Sequence, residues 1–370
     1  MIKIINVCLG VLFALLLGWQ VQEHLSYQLC QLEHTNLFLG DWDRLWASLG
    51  EMGGFVKWIG TFGIQFFDKP FWGSVVFLLP VWGLFAMTGC ILRRKCASAG
   101  LWIPLAAWVA VAQLFSLYDF NFYWSGAVAL CMAVAGLWVC SFLNSSWLRT
   151  ILFIVGIPVV AWLWGSVVVV YVLGGIGLFF EKKKSLWTAL VPLLVCGGTI
   201  ALNYFLGGCP TWMNAISPTQ YFEPLLDIPS YHLFTWILVV LLLGISRFLT
   251  WNVEKKQVLA GVICVLGWLL PSGALIYYGS TFRNQSNIDL WRLNHYTYTE
   301  DWDGILQFLH GKPMNNYLFM NYANMALAQK GTLGSQAFHY SPRGLNALMV
   351  NANSTGSIRM LASDIQYMVG

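Results

Sequence analysis

Asp41 and Asp43 flank Trp42 in the first polar stretch of the chain. They are the first pair of ionisable residues along the sequence whose spacing would suit catalysis or metal binding. Two carboxylates two positions apart can hold a divalent cation, or one can act as a base beside a lipid phosphate. The same triplet also suits a plain helix start, in which Asp41 caps a helix that includes Asp43. A catalytic or metal-binding pair and a structural helix cap therefore both stay open.

Asp119 is a second candidate for catalysis, in the aromatic segment 118–124 between two apolar runs. A carboxylate so close to an apolar layer is costly to place, which favours a function. An aromatic belt at a membrane surface accounts for the Tyr and Trp neighbours without any function. Asp119 can also simply close the turn with Asn121.

A third set of ionisable residues, Glu223, Asp227 and His232, lies in the proline-rich segment 207–232. Its spacing is too loose to predict a metal site. The chain has no Walker motif, nucleophile elbow, dinucleotide fingerprint or Cys-x-x-Cys pair, so the sequence predicts no cofactor.

The composition decides which elements must position these residues. Of 370 residues, 58% are hydrophobic and 10% are charged, against about 25% charged in an ordinary soluble domain. This excludes a disordered chain, a nucleic-acid-binding domain and a typical soluble enzyme. It indicates a polytopic membrane protein, for which membrane lipids are the first expected partners.

A membrane span needs about 20 largely apolar residues. The sequence contains eight candidate runs, at 4–21, 72–92, 101–118, 124–143, 150–180, 186–206, 233–251 and 257–278. The predicted fold is therefore an all-α bundle of eight to nine spans, followed by a small soluble helical-hairpin domain.

The distribution of basic residues favours nine crossings. Short cytoplasmic loops are rich in Lys and Arg, and Arg149 and Lys182 share a side only if 150–180 crosses twice or re-enters. Pro158, Gly165 and Gly174 supply the breaks that a hairpin needs. This predicts a cytoplasmic N-terminus and an outer C-terminal tail; one tilted span over 150–180 is the alternative.

Two domains are predicted from these runs. Residues 1–281 form the transmembrane domain, with a long first outer loop at 22–71. Within this loop, aromatic and aliphatic residues at helical spacing over 55–66 predict a helix lying in the membrane interface. Residues 282–370 are richer in Asn and form a soluble tail.

Local signals predict three helices in the tail. The first is capped at Thr299–Asp301 and runs to His310, the second spans Asn316–Lys330, and the third starts near Ser357. The second helix and its turn at Gly331 are similar to the start of a tetratricopeptide-type hairpin. The abrupt end at Gly370 predicts that the natural chain continues.

Two sets of residues carry a family resemblance. The first is Gly53-Gly54-Phe55 with Phe62, Gln65-Phe66-Phe67, Pro70 and Gly73; the second is Asn321–Ala328 with Gly331, Leu333, Phe338 and Tyr340. Together they resemble an uncharacterised family of bacterial polytopic membrane proteins. The resemblance implies several spans and an α-helical tail, and it supplies no catalytic residues.

Three functions follow as hypotheses. The first is an inner-membrane envelope protein whose outer tail docks another envelope protein. The second is a multi-span glycosyltransferase that uses a lipid-phosphate-linked sugar, with Asp41, Asp43 and Asp119 at its site. The third is a transporter, which the scarcity of charges within the spans disfavours.

Overall fold

The computed structural model describes residues 2–96, 102–119, 121–179, 187–224, 230–248, 257–281, 285–314, 316–340, 344–350 and 356–369. Across these ranges the chain is helical and forms no strand. It divides into two compact units. The first contains Met1–Glu23 and Phe38–Phe282, and the second contains His24–Leu37 and Arg283–Gly370.

The first unit is built mainly of apolar helices. Its helices are α1 (Ile2–His24), α3 (Trp42–Leu49), α4 (Gly54–Ile64), α5 (Pro70–Lys95), α6 (Leu105–Leu117), α7 (Trp124–Phe142), α8 (Ser146–Trp164), α9 (Val168–Phe179), α10 (Trp187–Phe205), α11 (Trp212–Ile216), α12 (Phe234–Ile245) and α13 (Gln257–Thr281). The second unit contains α2 (Ser26–His34), α14 (Gln285–Tyr298), α15 (Trp302–Leu309), α16 (Tyr317–Gln329), α17 (Leu333–Gln336) and α18 (Gly356–Val369).

Five helical segments of the described chain are long and apolar enough to cross a membrane: Ile2–His24, Phe71–Lys95, Trp124–Phe142, Ser146–Phe179 and Leu259–Gly279. Three shorter apolar helices lie at Leu105–Leu117, Ala189–Phe205 and Tyr231–Ile245. Each of the eight apolar runs of the sequence thus corresponds to an apolar helical segment. The five long segments have the length and composition that a membrane span requires, and the other three are shorter than a typical span.

The run 146–179 folds back on itself. Helix α8 ends at Gly165, whose φ is +75°, and α9 returns beside it after a short 3₁₀ turn at Gly165–Val167. The ring centroids of Phe153 and Tyr171 are 5.3 Å apart. In one straight helix, residues 18 positions apart would be about 27 Å apart. The segment is therefore a hairpin whose two ends lie side by side.

Tyr221 explains why glycine occupies the turn of this hairpin. A Cβ added at Gly165 would lie 2.5 Å from Cε1 of Tyr221, and a positive φ is itself unfavourable for other residues. The hydroxyl of Tyr221 donates to the carbonyl oxygen of Met52 at 2.5 Å. One buried ring thereby ties the hairpin turn to the segment that leads into α4.

Helix α4 lies across the ends of two other helices. At its start, the N–H of Gly53 donates to the carbonyl of Trp162, near the end of α8, at 2.7 Å. Further along α4, Gly60 packs directly on Ser125, near the start of α7, and a Cβ at Gly60 would overlap the Ser125 hydroxyl. Helix α4 therefore joins the end of α8 to the beginning of α7.

Basic side chains gather at the opposite ends of these helices, in a group that we call the basic end. The guanidinium carbon of Arg94 lies 3.5 Å from the ring centroid of Phe142. Lys95 Nζ and the Arg149 guanidinium lie 5.5 Å and 5.4 Å from the ring centroid of Phe179. Lys182, which also entered the charge argument, lies outside the described residues.

The second unit surrounds α16. Residues 318–327 of α16 are all buried, in a core that also contains residues of α14, α15 and α18. Helix α2 packs against α14, where Asn294 Nδ2 donates to Gln31 Oε1 at 2.6 Å. The sequence pattern assigns 24–37 to an outer loop of the membrane domain, whereas the contacts group this segment with the tail.

The three predicted tail helices are present as α15, α16 and α18. Asp301 Oδ1 accepts from the N–H of Gly304 at 2.8 Å, and Asn316 Oδ1 accepts from the N–H of Leu318 at 3.0 Å, so both caps form. After Gly331, however, α17 is only 4 residues long and is followed by a 3₁₀ turn. The described tail is thus a bundle around α16, and its second hairpin helix is too short for a tetratricopeptide-type pair.

Candidate functional site

Asp41 and Asp43 lie on an exposed helix of the first unit. Asp41 occupies the position before α3 with extended backbone, and its side chain makes no capping hydrogen bond. Asp43 is in the first turn of α3, and both residues are exposed. No described contact joins either carboxylate to Asp119, and the described residues contain no cluster of three or more His, Cys, Asp or Glu suited to a metal ion.

Asp119 is the centre of a polar cluster at the end of α6. Its Oδ1 accepts from the N–H of Asn121 at 2.9 Å, which closes the turn between α6 and α7. Its Oδ2 accepts from the hydroxyl of Tyr231 at 2.5 Å and lies 3.4 Å from Nε2 of His232. The carboxylate thus binds its own turn and, at the same time, the segment that begins α12.

His232 is held from both sides of its ring. Nδ1 lies 3.4 Å from the hydroxyl of Thr219, and the ring of Phe122 packs edge-on with its centroid 5.0 Å away. The side chain of His232 is 0% exposed, whereas that of Asp119 is 12% exposed. His232 is thus enclosed between Asp119, Thr219 and Phe122, with one ring nitrogen facing the carboxylate and the other facing the hydroxyl.

A second bond of the same kind runs in the opposite direction. The hydroxyl of Tyr123, from the α6–α7 turn, donates to Oε2 of Glu223 at 3.3 Å. Each segment thus donates a tyrosine hydroxyl to a carboxylate of the other: Tyr231 donates to Asp119, and Tyr123 donates to Glu223. We call the group of Asp119, Tyr123, Thr219, Glu223, Tyr231 and His232 the acidic clasp.

The clasp keeps Asp119 ionised. Burial alone would raise the pKa of Asp119, but hydrogen bonds from His232, Tyr231 and the N–H of Asn121 outweigh burial and lower the pKa below its ordinary value of 3.8. A charge-assisted bond to a carboxylate is stronger than a neutral one. The clasp therefore joins two segments through a charge that is present at neutral pH.

Polar groups continue inward from the clasp for about two turns. Ser116 of α6 and Thr235 of α12 are buried, and their hydroxyl oxygens lie 3.3 Å apart. Gln113, one turn deeper on α6, is also buried, and its Nε2 has no hydrogen-bond partner in the described part of the chain. The next turn on that face holds Val109 and Ala110, both fully buried. On α6 the buried polar side chains therefore end at Gln113.

The chemistry within reach is limited by this burial. His232 and Thr219 are enclosed, whereas Asp119, Tyr123, Glu223 and Tyr231 are at least partly exposed, so the clasp presents two carboxylates and two phenols at the surface. Together they can accept or hold one proton next to an apolar layer.

Sequence reasoning treated Asp119 as one candidate and Glu223, Asp227 and His232 as another, whereas the structure brings Asp119, Glu223 and His232 into one clasp. Asp227 lies outside the described residues. Tyr123, Thr219 and Tyr231 were not singled out as site residues, because a Tyr or Thr in an outer turn carries no spacing signal of its own.

One of three comparisons with known proteins found a match. The model of a Family of unknown function (DUF6057) matches residues 1–370. The chain therefore belongs to that family. No curated protein and no solved structure matches it.

Proposed function

We propose that this protein is a multi-span protein of the bacterial inner membrane that holds its second unit on the outer side, where the unit docks another envelope protein. The supporting observation is that two distant chain segments build this unit. Helix α2 directly follows α1, and α14 comes soon after α13, yet Gln31 and Asn294 share a buried hydrogen bond. Both segments must lie on one side of the membrane.

This shared side constrains the number of crossings. If α1 leads outward, the chain must cross an even number of times between α2 and α14 to return to the same side. Helices α5, α6, α7, α10, α12 and α13, together with a hairpin 146–179 that crosses twice, satisfy this condition and give nine crossings with α1. A single crossing by 146–179 would place the two halves of the second unit on opposite sides.

The basic end supplies the orientation. Arg94, Lys95 and Arg149 lie at one end of the first unit, and cytoplasmic loops are the ones enriched in Lys and Arg. The acidic clasp then lies on the outer side, together with the second unit.

Docking is supported by large side chains on the second unit. Phe338, in the 3₁₀ turn that packs on α16, is 79% exposed, and Met349 nearby in sequence is also exposed.

A photoreactive benzoylphenylalanine at Phe338 in living cells should give one discrete protein adduct, lost when Met349→Asp is added. The same probe at exposed Gln329 is the control. Equal adducts at both positions, or lipid adducts alone, would count against docking.

A second candidate function is the transfer of a sugar from a lipid phosphate, favoured by the ionised carboxylate of Asp119 near the membrane surface. A base of this kind has to stay deprotonated at neutral pH.

Native mass spectrometry of the detergent-purified protein should then show a retained polyprenyl phosphate that Asp119→Asn loses and Asp43→Asn keeps. Retention of bulk phospholipid by all three proteins would leave the docking proposal ahead.

A further inference from the structure

Helix α3 carries two indoles that the protein itself does not cover. Trp42 and Trp46 are 73% and 68% exposed, and α3 has no buried residue. Positions 42, 45, 46 and 49 form one face of the helix, which consists of Trp and Leu. Asp43 and Arg44 fall on the other side. An amphipathic helix of this kind is stabilised by lying in a membrane interface.

The attachment of α3 places it at the boundary of the apolar layer. The carbonyl of Leu49, the last residue of α3, accepts from Nε1 of Trp162 at 2.9 Å. Trp162 lies two residues before the end of α8 at Trp164. The C-terminal end of α3 therefore lies beside the end of α8, and α4 runs from there to the start of α7 at Trp124, so α3 adjoins the ends of two helical segments of membrane-spanning length.

Four aromatic rings on and beside α4 extend this surface. We call them the aromatic ladder: Phe38, Trp58, Phe62 and Phe66. Phe38 lies 5.4 Å from Trp58 and 5.3 Å from Phe62, and Phe62 lies 5.4 Å from Phe66, between ring centroids. Phe62 and Phe66 are exposed. Rings of this kind favour the level of lipid headgroups and glycerol.

We propose that α3 and the aromatic ladder form a phospholipid-binding surface embedded in the headgroup layer of the outer leaflet. Trp42 and Trp46 insert among the glycerol groups, and Asp43 stays on the watery side of α3. This gives the Asp41–Asp43 pair a place at headgroup level on an amphipathic anchor. The inference rests on the proposed orientation solely for its choice of leaflet.

The test places benzoylphenylalanine at Trp46 or at the adjacent exposed residue Ala47, which lies on the other side of α3. The full chain is reconstituted in nanodiscs of phosphatidylcholine and phosphatidylglycerol and irradiated, and intact-protein mass spectrometry counts lipid adducts. We expect roughly fivefold more lipid adduct at position 46 than at position 47, because just one face of an interfacial helix contacts lipid.

Equal adducts at both positions would overturn the proposal, as would a protein adduct at position 46 in place of lipid. Elution of each variant at the wild-type volume in size exclusion confirms folding, and Trp42 provides a second probe position on the same face. Nanodiscs expose both leaflets alike, so a failure here is distinguishable from a failure of the proposed topology.

Discussion

The two ends of the first unit hold their charges in different ways. At the basic end, Arg94 and Arg149 lie against the rings of Phe142 and Phe179, contacts that many orientations of a cation satisfy. One exposed hydrogen bond, from Nη1 of Arg94 to the carbonyl of Ser141 at 3.3 Å, adds to them. At the acidic clasp, Asp119 accepts directed hydrogen bonds from a turn and from a separate segment. Such bonds fail when one partner moves or is removed.

This difference separates two roles of charge. The cations act through their number and their side of the membrane, since insertion responds to the sum of nearby Lys and Arg. The acids act through position, since each is bound to a particular partner. Substitutions should therefore be tolerated at the basic end and costly at the acidic clasp.

The largest effect is expected at the turn of the hairpin 146–179, where Gly165 packs on Tyr221. Gly165→Ala adds a Cβ against Tyr221 at a positive φ, which should cost about 3 kcal/mol or more in unfolding free energy. Thermal unfolding in detergent, followed by fluorescence-detected size exclusion, measures the loss. Gly197→Ala is the matched control, because its Cβ meets nothing within 4 Å. Equal losses in both variants would contradict the assigned role of Tyr221.

A smaller loss is expected from the clasp itself. Asp119→Asn removes the charge that His232 and Tyr231 bind, at a cost of about 1–3 kcal/mol. The same unfolding assay should show almost no change for Asp43→Asn on the exposed α3. If the two variants behave alike, Asp119 does not hold the two segments together.

The clasp also predicts a pH dependence. The pKa of Asp119 is lowered below 3.8, so its contribution to stability is complete above pH 3.8 and disappears as the pH falls through the lower folded-state pKa. The stability difference between wild type and Asp119→Asn should therefore stay constant from pH 7 down to about 4 and shrink below it. A difference that already vanishes near pH 6 would show that other groups control the clasp.

The smallest effect is expected at the basic end. Arg94→Ala removes an exposed cation–aromatic contact worth about 0.5 kcal/mol and one exposed hydrogen bond to the carbonyl of Ser141. Arg93, Lys95 and Arg149 still supply the positive charge on which the proposed orientation depends. Unfolding temperature and topology should both stay close to wild type. A loss as large as that of Asp119→Asn would remove the contrast between the two ends.

Local patterns predicted much of this fold. The apolar runs, the caps at Asp301 and Asn316, and the turn between α6 and α7 all depend on neighbours within a few residues. The same holds for the hairpin 146–179, which followed from the positions of Arg149 and the internal glycines.

Long-range pairings were not predictable in this way. Asp119 and His232 lie 113 positions apart and have no spacing rule that connects them. Helix α2 contains polar residues such as Gln28 and Gln31, which suit an outer loop as well as a packed core. Its partnership with α14 depends on Asn294, more than 260 positions away.

The central claim is that the basic end is cytoplasmic and the second unit is outside. The test labels single reporter cysteines with a membrane-impermeant maleimide, and the labelling of the parent chain is subtracted as background. One reporter replaces Tyr367, which is 88% exposed on α18, and the other replaces Asn144, between α7 and α8. We predict that Tyr367→Cys is labelled in intact spheroplasts and that Asn144→Cys is labelled only after permeabilisation. Labelling of both positions in intact spheroplasts, or the reverse pattern, would contradict the account.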